Sequence, residues 1–483
     1  MCNHQRYHFG KPVVNRLLAV GLFALLSGCM VGPDYQRRDI NIVENWHADL
    51  AHIPVQETTL ADEAWIDIFR DDELRNVLQQ ALAQNRELLI AIERIEEARA
   101  VHRINRASLF PAFDLALSGE RERDSALTEA APDIEDELFF GTSARWELDL
   151  WGKNRRSNRA AWANYLASEY GAQAVRLSLI AQTSRVYFQL EGINARLKIS
   201  YDTLAARDKA LVIAEKRFHG GLTSKLEVKQ SEVEVANARA SIPKIEQAKL
   251  AVENELAVIM GLQPQHLELS SELEEQYVPS MVTSGLPSSL LERRPDIMQA
   301  EQLLISASER IGVAKAGLFP NIAITGDLGI QSADFDDLLD SDGKYWIFEV
   351  DIAMPLFHAG ARRAELSAAE SRFNQARLAY EQRVLESLRE VSDALNQFHK
   401  SGETLAAELY LEDASSEYYE LANKRYRNGV LAYIDVLDAQ RQLLNAQLAV
   451  SVARQAQLIA LVDLYKALGG GWDPAAQEFS STH

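Results

Sequence analysis

Two patterns of apolar and polar residues run along this chain, and each occurs twice. From Leu138 to Trp151 the residues alternate: Leu138, Phe140, Ala144, Trp146, Leu148 and Leu150 fall on one face, Gly141, Ser143, Arg145, Glu147 and Asp149 on the other. A period of two predicts a strand with one apolar and one charged face. Its partner follows Pro111, with Phe113, Leu115 and Leu117 opposed to Asp114, Ala116 and Ser118. A second pair repeats the arrangement: Ile322, Ile324, Gly326, Leu328 and Ile330, then Trp346, Phe348, Val350 and Ile352 opposed to Glu349 and Asp351. The other pattern is helical. Between Lys153 and Phe218 there is no proline, and only Gly171 and Gly192 interrupt a run dense in good helix formers. At about 1.5 Å per residue such a helix is roughly 100 Å long. Its counterpart, Arg362 to Arg427, places Leu366, Ala369, Phe373, Ala376, Tyr380, Val384, Leu388, Val391, Leu395 and Phe398 three or four residues apart. Ala364, Ala368, Ala379 and Ala394 broaden that seam. It suits a helix with neighbours on both sides, or a plain two-stranded coiled coil.

The duplication extends to motifs. Arg217-Phe218-x-x-Gly221-Leu222-x-x-x-Leu226-Glu227-Val228 recurs as Arg425-Tyr426-x-x-Gly429-Val430-x-x-x-Ile434-Asp435-Val436. Leu109-Phe110-Pro111 is echoed by Leu318-Phe319-Pro320, and Trp146-Glu147-Leu148-Asp149 by Phe348-Glu349-Val350-Asp351. A repeat this long defines the architecture: a β-hairpin mounted on a long helical hairpin, used twice. The chain divides into a signal segment 1–28, an N-terminal extension 29–70 and a first repeat 71–262, with a β-hairpin 111–151 and long helices 153–218 and 224–261. An inter-repeat segment 263–294 follows. The second repeat is 295–469, with a β-hairpin 320–357 and long helices 361–427 and 432–468, and 470–483 is a tail. Gly221 and Gly429 stand where the long helices turn, a place for left-handed backbone.

The N-terminus directs this architecture to a membrane. Arg6, Lys11 and Arg16 precede an apolar run, Leu17 to Leu26, that ends in Leu26-Ser27-Gly28-Cys29. That is a secretory signal, too short to remain as a span. Its ending resembles the bacterial lipobox, which implies a lipid on Cys29; an ordinary signal with a chance cysteine is the alternative. Met30 in place of Asp favours, by the same resemblance, the outer membrane. Cys2 leaves with the signal, so no disulfide is expected. No later apolar stretch looks long enough for a membrane helix, so spanning falls to the strands. Four strands cannot close around water, and open edges in lipid leave backbone groups unpaired. More than one copy is required.

A net charge of −20 speaks against nucleic acid. The ten histidines form no His-Glu-x-x-His pattern, and neither a phosphate loop nor a Gly-x-Ser-x-Gly elbow occurs. We expect no enzyme, no metal and no cofactor beyond the covalent lipid. The acidic stretches Asp124–Glu137 and Asp334–Asp342 are too polar for hydrocarbon and are expected to be external loops.

Further motifs carry a family resemblance: Val31-Gly32-Pro33-Asp34-Tyr35, Asp71-Asp72-Glu73-Leu74, Leu291-Glu292-Arg293-Arg294-Pro295-Asp296-Ile297, Tyr433-x-x-Val436-Leu437-Asp438-Ala439-Gln440 and Leu464-Tyr465-Lys466-Ala467-Leu468-Gly469-Gly470-Gly471-Trp472. In this order they resemble the outer-membrane factor (TolC-like) family of exit ducts, lipoprotein branch, over nearly the whole mature chain. The resemblance implies an α+β membrane protein assembling as a homotrimer. It would form a twelve-stranded outer-membrane β-barrel and a twelve-helix periplasmic α-barrel with an equatorial collar. It also implies outer-membrane lipid around the strands, a periplasmic adaptor protein, and an inner-membrane transporter of the resistance-nodulation-division type. Small-molecule efflux is the implied activity; metal-ion efflux and type I protein secretion are alternatives. So is a periplasmic structural or adaptor lipoprotein, although an adaptor would carry one helical hairpin. Residues matching the family's constriction are Asp435 and Asp438, with Tyr426 and Glu227 as a latch. Gly221, Leu222, Gly429 and Val430 match its adaptor-docking tip. Leu431 stands where TolC has a latch arginine, so an ionic contribution would have to come from Arg425 or Arg427.

Overall fold

The computed structural model describes residues 30–37, 65–123, 125, 127, 134–267, 269, 271–279, 282, 283 and 287–470. The signal segment, Cys29 and the tail from 471 lie outside the described residues. A short helix α1 (Trp65–Phe69) leads to α2 (Asp72–Gln84) and α3 (Arg86–Ala107). Strands β1 (Ala112–Arg123) and β2 (Ile134–Leu148) follow, then α4 (Lys153–His219) and α5 (Lys225–Ile259). After short turns and α6 (Leu290–Arg293), the series recurs as α7 (Pro295–Ala316), β3 (Asn321–Ser332), β4 (Lys344–Ala353), α8 (Ala361–Arg427) and α9 (Tyr433–Ala467). Counterpart helices have equal lengths: 22 residues for α3 and α7, 67 for α4 and α8, 35 for α5 and α9. Pro243 lies inside α5 without ending it.

Four helix ends share one device. Gly221, Gly261, Gly429 and Gly469 all take positive φ, between +70° and +76°. The amide after each returns to a carbonyl five residues back, as in Leu222 N–H to Arg217 O at 2.8 Å and Val430 N–H to Arg425 O at 3.0 Å. This is the Schellman closure, which satisfies the orphan carbonyls of a helix end with a glycine in left-handed backbone.

The contacts group the chain into two compact units. One comprises 1–39, 94–168 and 299–380; the other comprises 40–93, 169–298 and 381–483. The first unit holds a four-stranded antiparallel sheet in the order β1-β2-β3-β4. Its middle pairing, β2 with β3, joins strands from different repeats in register from Leu138↔Ser332 to Leu148↔Ile322. The register sets every apolar row on one face: Phe113, Leu115 and Leu117 lie opposite Ala144, Thr142 and Phe140. These continue across to Gly326, Leu328 and Ile330, then to Phe348 and Trp346. That face is bare, with Leu117, Leu328 and Trp346 about 70% exposed, which water alone does not tolerate over so large a patch. The opposite face carries Asp114, Arg145, Glu147, Asp327, Glu349 and Asp351. Gly141 and Gly329 pair across the ladder so closely that a side chain on Gly329 would start 2.4 Å from the Phe140 carbonyl oxygen.

The same unit clasps the N-terminal segment. Val31 N–H donates to the Trp151 carbonyl at 3.1 Å. Gly32 lies so near Gly312 that an added Cβ would sit 2.6 Å from its Cα. Arg156, 1% exposed, pairs with Glu309 at 2.9 Å and Asp34 at 3.0 Å, and donates to the Pro33 carbonyl at 3.0 Å. A guanidinium is tolerated there because carboxylates and carbonyls replace its water.

Three expectations change. Glu135, Asp136 and Glu137 belong to β2, not to a loop, and pair with Glu122, Arg121 and Glu120. Backbone pairing accepts any side chain, and the Arg121–Asp136 ion pair at 3.0 Å relieves part of the charge. On α8 Ser387 is fully buried, its hydroxyl bonded to the Val384 carbonyl at 2.7 Å, while the neighbouring Leu388 is half-buried. A helical period of 3.6 drifts from a strict heptad, and a serine satisfied within its own helix can follow the seam inward. Finally, α9 is long and apolar enough to cross a membrane. Leu458, Ala460, Leu461 and Leu464 on it are nevertheless buried by protein.

A lysine at Trp346 or Phe348 would stand on the bare apolar face and should cost about 2–4 kcal/mol near a bilayer midplane. At Ser143, between Asp114 and Asp327 in the register, lysine should be accepted. Recovery of folded protein from outer membranes distinguishes the sites; equal recovery would deny the strands a lipid face.

Candidate functional site at the helical tip

The turns joining α4 to α5 and α8 to α9 belong to the second unit. Gly221 and Gly429 have open space where a Cβ would be, so substitution there is opposed by backbone conformation alone. Around them Leu222, Leu226 and Val430 are exposed, the first at 74%. An apolar tip of this kind is built to meet another surface.

Just inside the tip, Tyr426 donates its hydroxyl to Glu227 Oε2 at 2.9 Å. Burial, then the Glu227 carboxylate, push the tyrosine up to about 12. It stays a neutral donor, and Glu227 accepts a charge-assisted bond. Behind it the rings of Tyr426 and Tyr433 lie 5.3 Å apart, and the hydroxyls of Tyr433 and Ser231 are 2.7 Å apart. Arg207 pairs with Glu234 at 3.1 Å, both groups largely buried, and donates to the Glu234 carbonyl at 2.9 Å. Two of these links, Tyr426–Glu227 and Tyr433–Ser231, tie the two helical hairpins together, while Arg207–Glu234 joins α4 to α5 within the first. Ala422, Val436, Leu437 and Ala439 form an apolar cluster between α8 and α9, with Leu431 packed against it.

Asp435 and Asp438 lie in the first turns of α9, partly exposed. Three residues apart on a helix, they share one side. Asp438 accepts from Gln442 at 2.7 Å and has Arg441 at 3.6 Å, so its charge is partly compensated within its own helix.

The structure therefore brings Tyr426 and Glu227 together and places Asp435 and Asp438 on the following helix. Leu431 is an apolar filler. Arg425 and Arg427 are exposed, and a cation beside the Tyr426–Glu227 bond is Arg217, 5.0 Å above the Tyr426 ring. The Ser231–Tyr433 and Arg207–Glu234 links were not found from the sequence. Residue spacing places groups on one helix but does not pair helices whose relative register is set by packing.

Residues 77–262 and 286–470 match the family described as outer membrane efflux protein. Among similar proteins are the toluene efflux pump outer membrane protein TtgC and the antibiotic efflux pump outer membrane protein ArpC, both from Pseudomonas putida. Each is 34% identical over 462 residues, covering 94% of this chain and 95% of the relative. The solved outer-membrane channel OprN superposes with a TM-score of 0.86 at 29% identity, covering 92% of this chain and all of that one. The duplicated helical and β-hairpins, the bare strand face and these matches agree: the chain belongs to the outer membrane efflux protein family.

Proposed function

We propose that this protein is the exit duct of an efflux system, with three copies closing a twelve-stranded barrel around water. Its helices continue the duct through the periplasm. The observation carrying this reading is the sheet itself: one face largely apolar and bare, the other charged, with β1 and β4 at its edges. A relative named for toluene and another for antibiotics support small, largely apolar molecules as cargo. Delivery would come from an inner-membrane transporter through a periplasmic adaptor, which the apolar tip at Gly221, Leu222, Gly429 and Val430 would meet. Cys29 would carry lipid. Met30 and Val31, which follow it in the chain, are held beside Gly152 and Trp151, just after β2.

At rest the Tyr426–Glu227 bond would hold the tip closed, and Asp435 and Asp438 from three copies would ring its opening with carboxylates. Such rings select and bind cations. In planar bilayers the wild type should show low, cation-selective conductance blocked by trivalent cations from the tip side. Tyr426→Phe removes a half-exposed bond worth about 1 kcal/mol per copy and should raise conductance. The Asp435→Ala, Asp438→Ala pair should lose both block and selectivity; unchanged block would place the constriction elsewhere.

Docking and anchoring have separate tests. Gly429→Asp forces a side chain into left-handed backbone at about 1 kcal/mol, too little to unfold the trimer. Dye efflux should nevertheless stop, with adaptor crosslinking lost; intact crosslinking would contradict docking at this turn. Cys29→Ser should abolish incorporation of labelled palmitate while leaving residual insertion, because strands bury more apolar area than acyl chains. Label in the mutant would refute lipidation at Cys29.

A further inference from the structure

Away from the tip, the second unit contains a polar cluster in which one serine hydroxyl lies against two carboxylates. Asp71 and Glu73 come from the start of α2, Tyr187 and Glu191 from α4, and Ser271 and Gln276 from the inter-repeat segment. Tyr187 OH donates to Asp71 Oδ2 at 2.7 Å and also lies against Ser271 Oγ. Ser271 N–H donates to Glu73 Oε2 at 3.0 Å. Ser271 Oγ reaches Glu73 Oε2 at 3.0 Å and Glu191 Oε1 at 2.7 Å. Gln276 donates to Asp71 Oδ2 at 2.6 Å and Glu191 Oε1 at 3.0 Å.

The seven contacts in this cluster draw on five protons: one from the Tyr187 hydroxyl, two from the hydroxyl and amide of Ser271, and two from Gln276. A single hydroxyl proton on Ser271 cannot serve two carboxylates. Glu191 is 1% exposed, and its Oε2 is buried without a hydrogen-bond partner. A sixth proton relieves most of the conflict. With Glu191 protonated, it donates to Ser271, Ser271 donates on to Glu73, and Tyr187 donates to Asp71, so that only the Tyr187–Ser271 contact has no proton of its own. Two charged carboxylates then remain where three would repel one another.

The charged groups around the cluster are engaged elsewhere. On α4, Lys198 holds Glu272 at 3.0 Å. On α2, Arg75 pairs with Asp72. On α9, Arg454 donates to the carbonyls of Glu274 and Gln276 at 3.2 and 2.9 Å. His266 and Lys249 face Glu253, and with Asp202 and Glu274 they border a cavity of about 600 Å³ beside Glu191.

We propose that this cluster is a proton-dependent clasp, in which protonated Glu191 fastens the inter-repeat segment to α4 and α2, and loss of its proton loosens that segment. Burial, set against bonds from Ser271 and Gln276 and reinforced by the charges of Asp71 and Glu73, pushes Glu191 up to about 7 from an ordinary 4.5. The folded cluster therefore holds a proton that the opened segment gives up. The clasp is tightest in acid, weakens as pH rises between these two values, and levels off above about 7. For a protein of the outer membrane and periplasm this makes the segment responsive to external acidity, whatever the cargo or the gate.

Full-length protein purified as its native oligomer supplies the test. Hydrogen-exchange protection of residues 271–276, corrected for intrinsic rates, should fall about tenfold between about pH 6 and about pH 8. Glu191→Gln, neutral throughout, should show no such fall. Equal wild-type protection at both values, or the same fall in Glu191→Gln, would overturn the proposal. A wild-type measurement stands independently of that variant's folding. The infrared band of a protonated carboxyl should be present near pH 6 and gone by about pH 8.5, and its absence near pH 6 would also overturn the clasp.

Discussion

Everything in this molecule answers to one constraint: a strand edge in hydrocarbon has no water to satisfy its N–H and C=O groups, at several kcal/mol for each group left unpaired. The β2–β3 ladder joins the two repeats and leaves β1 and β4 as the outer edges. One edge comes from each repeat, so a single chain cannot close the sheet without bending four strands into a circle too small to hold side chains. Matching β1 of one copy with β4 of the next removes every edge. The bare apolar rows become the lipid face and the charged rows the wall of a water-filled lumen.

Duplication then solves the length problem. Each repeat carries 22-, 67- and 35-residue helices, and glycines at matching positions close their ends in the same way. The copies differ where one job must be done only once. Phe218 occupies the first-repeat place of Tyr426 and has no hydroxyl to give, while Glu227 occupies the place of Asp435 and receives the bond that Tyr426 donates.

Buried charge marks where separate segments are pinned. Arg156 holds the N-terminal segment in one unit. In the other, Arg294 donates to the Ala467 carbonyl at 3.0 Å and pairs with Asp296 at 2.8 Å and with Glu390. Burial would raise the Asp296 carboxyl, but Arg294 and Arg383 outweigh it and hold it down at about 2. These networks join segments far apart in sequence, where loops alone would leave them free to drift. They supply orientation more than net stability, since desolvating such ions offsets much of their attraction.

The alternation at Phe113–Leu117, Phe140–Leu148, Ile322–Ile330 and Trp346–Ile352 determined the strands and their apolar face, because side chains on a strand alternate whatever lies beside them. The proline-free runs after Lys153 and Arg362 determined the long helices, and Gly221 and Gly429 their turns, because local backbone preference acts within a few residues. Tyr426 and Glu227 were legible through resemblance alone. Tertiary structure decided the rest: that β2 pairs with β3 across the repeats, that Ser387 lies deeper than Leu388, and that Arg217 rather than Arg425 or Arg427 covers the Tyr426 ring. It also gathered Asp71, Tyr187, Glu191 and Ser271 into one polar cluster. Those outcomes depend on how helices and strands distant in the chain slide and rotate against one another, and packing sets that register only once the chain has folded.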